Sequence, residues 1–411
     1  VVLDSRGMVQ AFEVGANPQL EQQLPLLLEQ LAAGEDVAAN TLATYQRSSQ
    51  AYSRMLEAAQ RSTLLPKNAV STRICPASKP RRLRLSPTWH YRDAEKPGNL
   101  LVLPSNQDAS RILVLDGQRR MLEFDVRGQM TGRYELEVDA PGVTFIRTAV
   151  DARGRRYYVG ASIEGERAYV FDEAFHRVGT YPPEANAQGT VADATLMDQD
   201  RDGELELIVG FSQLAGVHCA TLAGTRKWEN RQMPDVLSLA GPQRLLVSGR
   251  RGDVIPFDQT GRPESAIVVN GRAIFHLFSA RFAPQTTAFC GLTFSDAGHL
   301  VAVGLSPDLH EVWDYELPDG VFRDPVQFVT SDTWLHAEHG SWVFAGPDGT
   351  IHALREDGVT VDKFAYGERI AGLGLLRVAG TAYLLVASPD GIKAWHVTDA
   401  GERLGAANHN R

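Results

Sequence analysis

From Pro97 onward, apolar residues fall in short runs, each closed by Gly, Asp, Asn or Pro, and no helical period of any length appears. The start of the chain differs. Residues 1–15 hold two apolar runs around a turn at Asp4 to Gly7, which is a hairpin pattern. Asn17 then caps a helix that Pro18 opens, and Leu20, Leu24, Leu27, Leu28 and Leu31 recur at helical spacing up to Gly34, with Pro25 predicting a kink. Asp36 to Gln60 reads as a second helix, with Val37, Tyr45, Tyr52, Met55 and Leu56 near one face. Residues 61–85, broken by Pro66, Pro76 and Pro80, read as an irregular linker whose basic run, Lys79 to Arg84, forms a solvated face.

The apolar runs after Pro97 align as a repeat. Arg-Ile-Leu-Val-Leu-Asp at Arg111 corresponds to Tyr-Tyr-Val-Gly at Tyr157, Leu-Ile-Val-Gly at Leu207, Leu-Leu-Val-Ser-Gly at Leu245, Ala-Phe-Cys-Gly-Leu at Ala288, Trp-Val-Phe-Ala-Gly at Trp342 and Tyr-Leu-Leu-Val-Ala at Tyr383. Each is followed by a second strand and often by a Gly turn, as in Met-Leu-Glu-Phe-Asp-Val-Arg-Gly from Met121. Copies spaced by roughly 40 to 50 residues, each of several strands, predict a mainly β fold, a seven-bladed β-propeller of four-stranded blades. Such a ring needs a seam. Glu402 to Arg411 is polar, whereas Leu85 to Tyr91 matches the outer-strand pattern at Glu311 to Leu317, so the segment around Trp89 is expected to supply the outer strand of the last blade.

Pro-Gly-Asn-Leu-Leu-Val-Leu from Pro97, followed by the run at Arg111, resembles a blade of NHL-repeat proteins, and Glu-Val-Trp-Asp-Tyr-Glu-Leu from Glu311 resembles an outer strand of PQQ-like repeats. No adjacent Cys pair is present to stack on a quinone, so the second resemblance implies packing and not a quinone site. The hairpin and helix of residues 1–34 resemble the C-terminal part of thioredoxin-like (redoxin) domains, where a Val-Leu-Asp hairpin precedes the final helix. That resemblance implies that the half with the dithiol lies before Val1, so it carries no redox activity to any residue here; Val1 falls inside an expected strand, so the chain reads as having lost its start, and any signal peptide with it. The expected organisation is therefore a thioredoxin-like part at 1–34, a helix and linker at 35–84, and the propeller at 85–411.

Composition narrows the partners. A net charge of −9 over 411 residues argues against nucleic acid or an anionic membrane surface, and no apolar window is long enough for a membrane span. The 3 cysteines, Cys75, Cys219 and Cys290, show neither zinc nor dithiol spacing, and Cys219 and Cys290 are expected in the core with Cys75 more exposed.

The most specific chemistry lies in Asp198-Gln-Asp-Arg-Asp-Gly-Glu-Leu-Glu206. Asp198, Asp200, Asp202 and Glu206 stand at positions one, three, five and nine of a loop that Gly203 allows to turn sharply, with Glu204 as a further oxygen donor; hard oxygens in that spacing suit calcium. The twelfth position is Val209, so this is no EF-hand. The loop resembles the FG-GAP type found in propellers, with Glu206 replacing the final Asp, and the resemblance implies a structural calcium. His336 and His339 make a weak metal pair, while His218, His276 and His352 read as core or tunnel residues. Connections leading into the innermost strands carry Glu184, Asn186, Asn230, Arg231, Asp235, Asn270, Arg272, Arg323, Asp324, Glu368 and Arg369, of which Asp235, Arg272, Asp324 and Arg369 are the chosen ligand-binding candidates. No nucleophile sits in a recognisable elbow.

The expected function is a non-catalytic binding or scaffold module, extracytoplasmic, with one calcium and with a protein or small polar ligand at the propeller funnel. Two alternatives stand beside it: a hydrolase or lyase working in the funnel, and a redox accessory protein whose dithiol lies upstream.

Overall fold

The structure is a computed structural model; it describes all residues except 13–19, 44, 47–48, 50–72, 104–109, 164, 185–188, 213, 234, 242–243, 250–251, 284–285, 296–298, 320–326, 328, 336–338 and 401–411. Most of the expected helix at 36–60, together with Asn186, Arg323, Asp324, His336 and the polar tail from Glu402, lies outside the described residues.

At the start, strands Val2–Leu3 and Val9–Ala11 form a hairpin. Its turn is closed by Asp4, whose carboxylate accepts the Arg6 and Met8 N–H groups, each at 2.9 Å. The helix Leu20–Ala32 follows, with Pro25 inside it. It ends as its residues predict: Gly34 takes a left-handed conformation and the Glu35 N–H reaches back to the Gln30 carbonyl at 3.0 Å. Helical structure resumes at 38–43, where the Asp36 side chain caps the Ala38 N–H at 3.1 Å.

The remainder is a seven-bladed propeller. Its antiparallel sheets span residues 97–135, 145–181, 191–230, 236–257, 276–316, 329–365 and 372–399, called blades 1 to 7. The first strand of each blade lies against the first strand of the next, all the way round from blade 7 back to blade 1, so the first strands line the axis. Blade 4 has three strands; its fourth place is taken by a segment joined through isolated bridges, Val254 to Ile267 and Phe257 to Pro263. Pro256 and Pro263 lack the N–H groups a regular ladder there would use.

The apolar patterns follow from this geometry. A middle strand is covered on both faces by neighbouring blades, and Glu206–Phe211 is accordingly buried at every residue. The outer strand Glu311–Glu316 instead alternates between half-buried and exposed. The core is divided into seven layers, each between two adjacent blades. Val159, Val170, Leu207 and Val209 meet between blades 2 and 3, and Cys290, Leu292, Trp342 and Phe344 meet between blades 5 and 6. Outer-strand tryptophans seal these layers. Trp89, Trp228 and Trp313 each lie on the turn glycine of the next blade, Gly128, Gly261 and Gly358, where an added Cβ would stand 2.3 to 2.4 Å from the indole. These glycines also adopt φ values near +80°, so both space and backbone require them.

Blade 7 is completed from the other end of the domain. Its three strands, Gly372–Val378, Thr381–Ser388 and Gly391–Asp399, are joined by Leu83–Tyr91, which pairs Tyr91 with Ile392 and Leu83 with Asp399. The residues just before this strand are held along the outer edge of blade 6. The Cys75 N–H bonds the Asp348 carbonyl and the Ser78 N–H the Ala365 carbonyl, both at 2.9 Å. The buried Asp362 carboxylate then accepts the N–H groups of Arg81 (3.1 Å), Arg82 (2.7 Å) and Leu83 (2.7 Å). Residues 73–82 thus form a strap, and the last part of the expected linker is fixed in place.

Asp362→Ala removes the acceptor for three backbone donors at the seam. Hydrogen bonds to a charged group and the desolvation of orphaned donors put the loss at about 3 kcal/mol. Denaturant unfolding should show it, and an unchanged midpoint would mean that the strap is held some other way.

Candidate functional site

Along the axial channel, blades 1 to 4 carry polar side chains at the third position of their innermost strands: Asn99 in Pro97–Leu103, Arg147 in Phe145–Val150, Asp193 in Val191–Met197 and Ser238 in Val236–Ala240. Each reaches the next blade. The Ile146 N–H donates to Asn99 Oδ1 (2.8 Å), the Arg147 guanidinium pairs with Asp193 (2.9 Å), the Leu239 N–H donates to Asp193 Oδ2 (2.8 Å), and the Leu277 N–H donates to Ser238 Oγ (2.8 Å). Gln327, which leads into blade 6, accepts from Asn99 Nδ2 (3.1 Å) and from the Leu100 N–H (2.8 Å) in blade 1. An unpaired carboxylate at this depth would be costly; Asp193 instead takes an ion pair and two backbone donors, counting the Ala194 N–H. Arg147 further donates to the Ala194 carbonyl at 3.1 Å.

His276 opens the innermost strand of blade 5 and is open to solvent. Enclosure by the surrounding protein holds its imidazole below the ordinary value, with Asp193 pulling it up and Arg147 pushing it down. The other two strand histidines are locks between blades. Tyr181 of blade 2 bonds His218 Nδ1 at 2.7 Å, and Tyr315 of blade 5 bonds His352 Nδ1 at 2.8 Å. Burial lowers His218 and pushes His352 down to about 4, so both stay neutral near pH 7. Cys219 and Cys290 are buried, and Cys75 is half-buried.

The acidic loop joins the first two strands of blade 3. It gathers Asp198, Asp200 and Glu206, whose carboxylate oxygens lie within 4.8 Å of one another. Lys227, on the outer strand Arg226–Asn230, donates its ammonium to Asp200 (2.6 Å) and Glu206 (2.8 Å). Burial raises the Glu206 pKa in spite of that bond, and the bond from Lys227 lowers that of Asp200. Burial opposes the Lys227 charge, but its two carboxylate partners outweigh this and hold its pKa above the ordinary value. Asp198 Oδ2 accepts the Gly203 N–H at 3.1 Å, while its buried Oδ1 has no partner. Asp202 turns to the Glu204 N–H (2.8 Å), and Glu204 lies 3.6 Å from Arg153 of blade 2, so neither joins the cluster.

The rim candidates are dispersed. Arg272 pairs with Asp314 (2.6 Å) and Glu311 (3.3 Å) on the outer strand of its own blade, and Asn270 also bonds Glu311. Glu368 is engaged by Ser388 and Lys393. Asp235 takes a left-handed conformation at the entry to blade 4, and Arg369 is exposed at the entry to blade 7. His339 lies 3.8 Å from Glu356. Sequence reasoning missed the channel belt, although a polar residue in the third place of aligned, otherwise apolar strands was a usable signal.

No family model matches the chain, and no curated protein matches it. Among the described residues no helix is long and apolar enough to cross a membrane. Solved structures do match. BBS1N, in a crystal with ARL6DN soaked with mercury, superposes with a TM-score of 0.51 at 15% identity over 77% of this chain and 97% of that one. Raptor from Chaetomium thermophilum gives 0.56 at 9% identity, over 78% of this chain and 29% of that one. BamB from Moraxella catarrhalis gives 0.42 at 16% identity, over 79% and 96%. At such identities what is shared is the fold, a β-propeller.

Proposed function

We propose that the chain is a binding or scaffold module that docks a protein partner on the propeller face where the innermost strands begin, without catalysis of its own. One observation carries this reading: the polar belt of blades 1 to 4 is used on the neighbouring blade, Arg147 on Asp193 and Asp193 on the Leu239 N–H, which stiffens the ring instead of reserving these groups for a substrate. A rigid annulus with mixed charges such as Asp235 and Arg369 around its mouth is suited to present a docking surface. That BBS1N was crystallised in complex with another protein is consistent with it.

The test is affinity capture from the native extract with three forms of the chain: unaltered, Asp235→Arg with Arg369→Glu, and His276→Ala. Partners should be depleted by roughly fivefold or more in the charge-reversed form and retained by His276→Ala. A hydrolase or lyase activity that His276→Ala abolishes would overturn the scaffold reading in favour of a funnel enzyme.

The acidic loop belongs to the same reading as a calcium site, with Asp198, Asp200 and Glu206 as ligands and Lys227 displaced when the ion enters. Its support is the partnerless Asp198 Oδ1 beside two carboxylates that already hold a cation. A site of modest affinity would fill where free calcium is high, so the reading includes an extracytoplasmic setting. Lys227→Met strands the buried Glu206 and should cost about 2 kcal/mol in chelator. Calcium at roughly a hundredfold over its dissociation constant should then restore about 2.7 kcal/mol, and Asp200→Asn should abolish the response. Melting curves that ignore calcium in the Lys227→Met form would overturn the calcium site and leave Lys227 as the natural counter-charge of Asp200 and Glu206.

A further inference from the structure

The strap of residues 73–82 is bonded to blade 6 at Cys75, at Ser78 and at Arg81 to Leu83, and an open groove runs along these contacts. In the middle Ser78 forms a reciprocal pair with Ala365, its N–H donating to the Ala365 carbonyl (2.9 Å) while the Ala365 N–H donates to Ser78 Oγ (2.8 Å). At the other end Arg81, Arg82 and Leu83 hang from Asp362. Between Ser78 and Arg81 stand Lys79 and Pro80, and Pro80 has no N–H to offer the strand edge. The open groove so formed has a volume of about 500 Å³ and is lined in part by Cys75, Ser78, Arg81, Thr350 and Lys363. That volume lies within the range of small-molecule sites, roughly 300 to 1,000 Å³.

Its charges are unequally satisfied. The carboxylates are saturated. Asp362 is buried and accepts four backbone N–H groups, the fourth from Lys363 at 2.8 Å. Asp348 accepts from the Thr350 hydroxyl (2.6 Å), the Thr350 N–H (3.1 Å) and the Cys75 thiol (3.4 Å). The cations are not: Arg81 and Lys363 are exposed, and among the described residues their side chains enter no ion pair. Lys363 lines the groove together with Cys75, and its backbone pairs with His352 on the neighbouring strand. Unmet donors around a groove of this size suit a ligand rich in acceptors.

We propose that the groove between the strap and the outer edge of blade 6 binds a small molecule bearing oxyanions, a phosphate ester or a polycarboxylate, through Arg81 and Lys363. The ligand would bridge strap and blade beside the ring seam, so its binding should also stabilise the closed ring. The proposal is independent of partner docking on the propeller face.

The experiment is calorimetric titration of the full chain with inorganic phosphate, pyrophosphate and citrate at constant ionic strength, repeated with Arg81→Gln/Lys363→Gln and with Arg133→Gln on the exposed outer strand of blade 1. Saturable binding of at least one probe is expected, weakened about tenfold or more in the double variant and unchanged in Arg133→Gln. Tighter binding of pyrophosphate points to phosphate esters, and tighter binding of citrate to polycarboxylates. Neither substituted side chain makes an ion pair, so the double variant should melt close to the unaltered chain; if it does not, Lys363→Gln alone carries the same comparison. Absence of saturable binding, or equal weakening in Arg133→Gln, overturns the proposal.

Discussion

A sheet that is apolar on both faces cannot stand alone in water, and every other feature of this molecule depends on that constraint. The middle strands, such as Glu206–Phe211, are buried along their whole length, which is possible only when a blade lies on each side. In an open arc of seven blades the two terminal sheets would each leave a face bare, exposing residues such as Leu385, Ile392, Ile112 and Val114 to solvent. Closure covers them. At roughly 25 cal/mol for each Å² of apolar surface removed from water, burying those faces outweighs any single hydrogen bond at the seam. The strand Leu83–Tyr91 makes closure cooperative, because the same chain must leave the strap, complete blade 7 and turn directly into blade 1.

Apolar layers set how blades stack but leave their rotation about the axis weakly specified. Directional bonds supply what packing does not. The belt of Asn99, Arg147, Asp193 and Ser238 ties the innermost strands of blades 1 to 4 to the backbone or side chain of the next. Further from the axis, Tyr181 with His218 and Tyr315 with His352 do the same, and at the perimeter Trp89, Trp228 and Trp313 cover the turn glycines. Polar groups buried in this way are affordable because each has its partner. The cost of losing one is also why they fix a single arrangement.

The repeat and its sevenfold count were legible because blade packing writes itself into the chain as apolar runs with a fixed order. The seam was legible for the same reason, since Trp89 shares an outer-strand pattern with Trp313. The channel belt was obscured: one polar residue in a short apolar strand reads as local irregularity until several copies are aligned, and then Asn99, Arg147, Asp193 and Ser238 stand in one column. Arg272 was placed at the funnel by its position before an innermost strand, but Glu311 and Asp314 on the last strand of the same blade bind its guanidinium and draw it to the perimeter. The basic run from Lys79 to Arg84 looked like a solvated linker because its anchor, Asp362, lies far along the chain and binds backbone, which leaves no trace in residue type.

Lys227 was also invisible to a reading of the loop alone, and it changes what the loop can be. Three carboxylates, Asp198, Asp200 and Glu206, converge, but one ammonium cannot neutralise them, and it bonds only two. A tethered cation has the advantage of high local concentration and the disadvantage of single charge and fixed reach; a divalent ion has the reverse. Because the loop is also bonded to both neighbouring blades, through the Ala152 N–H to the Gly203 carbonyl (3.2 Å) and Gln199 Nε2 to the Asp258 carbonyl (2.6 Å), its cation acts on three blades at once. The frame holds with lysine in place, and the unsatisfied Asp198 oxygen marks where a second positive charge would add most.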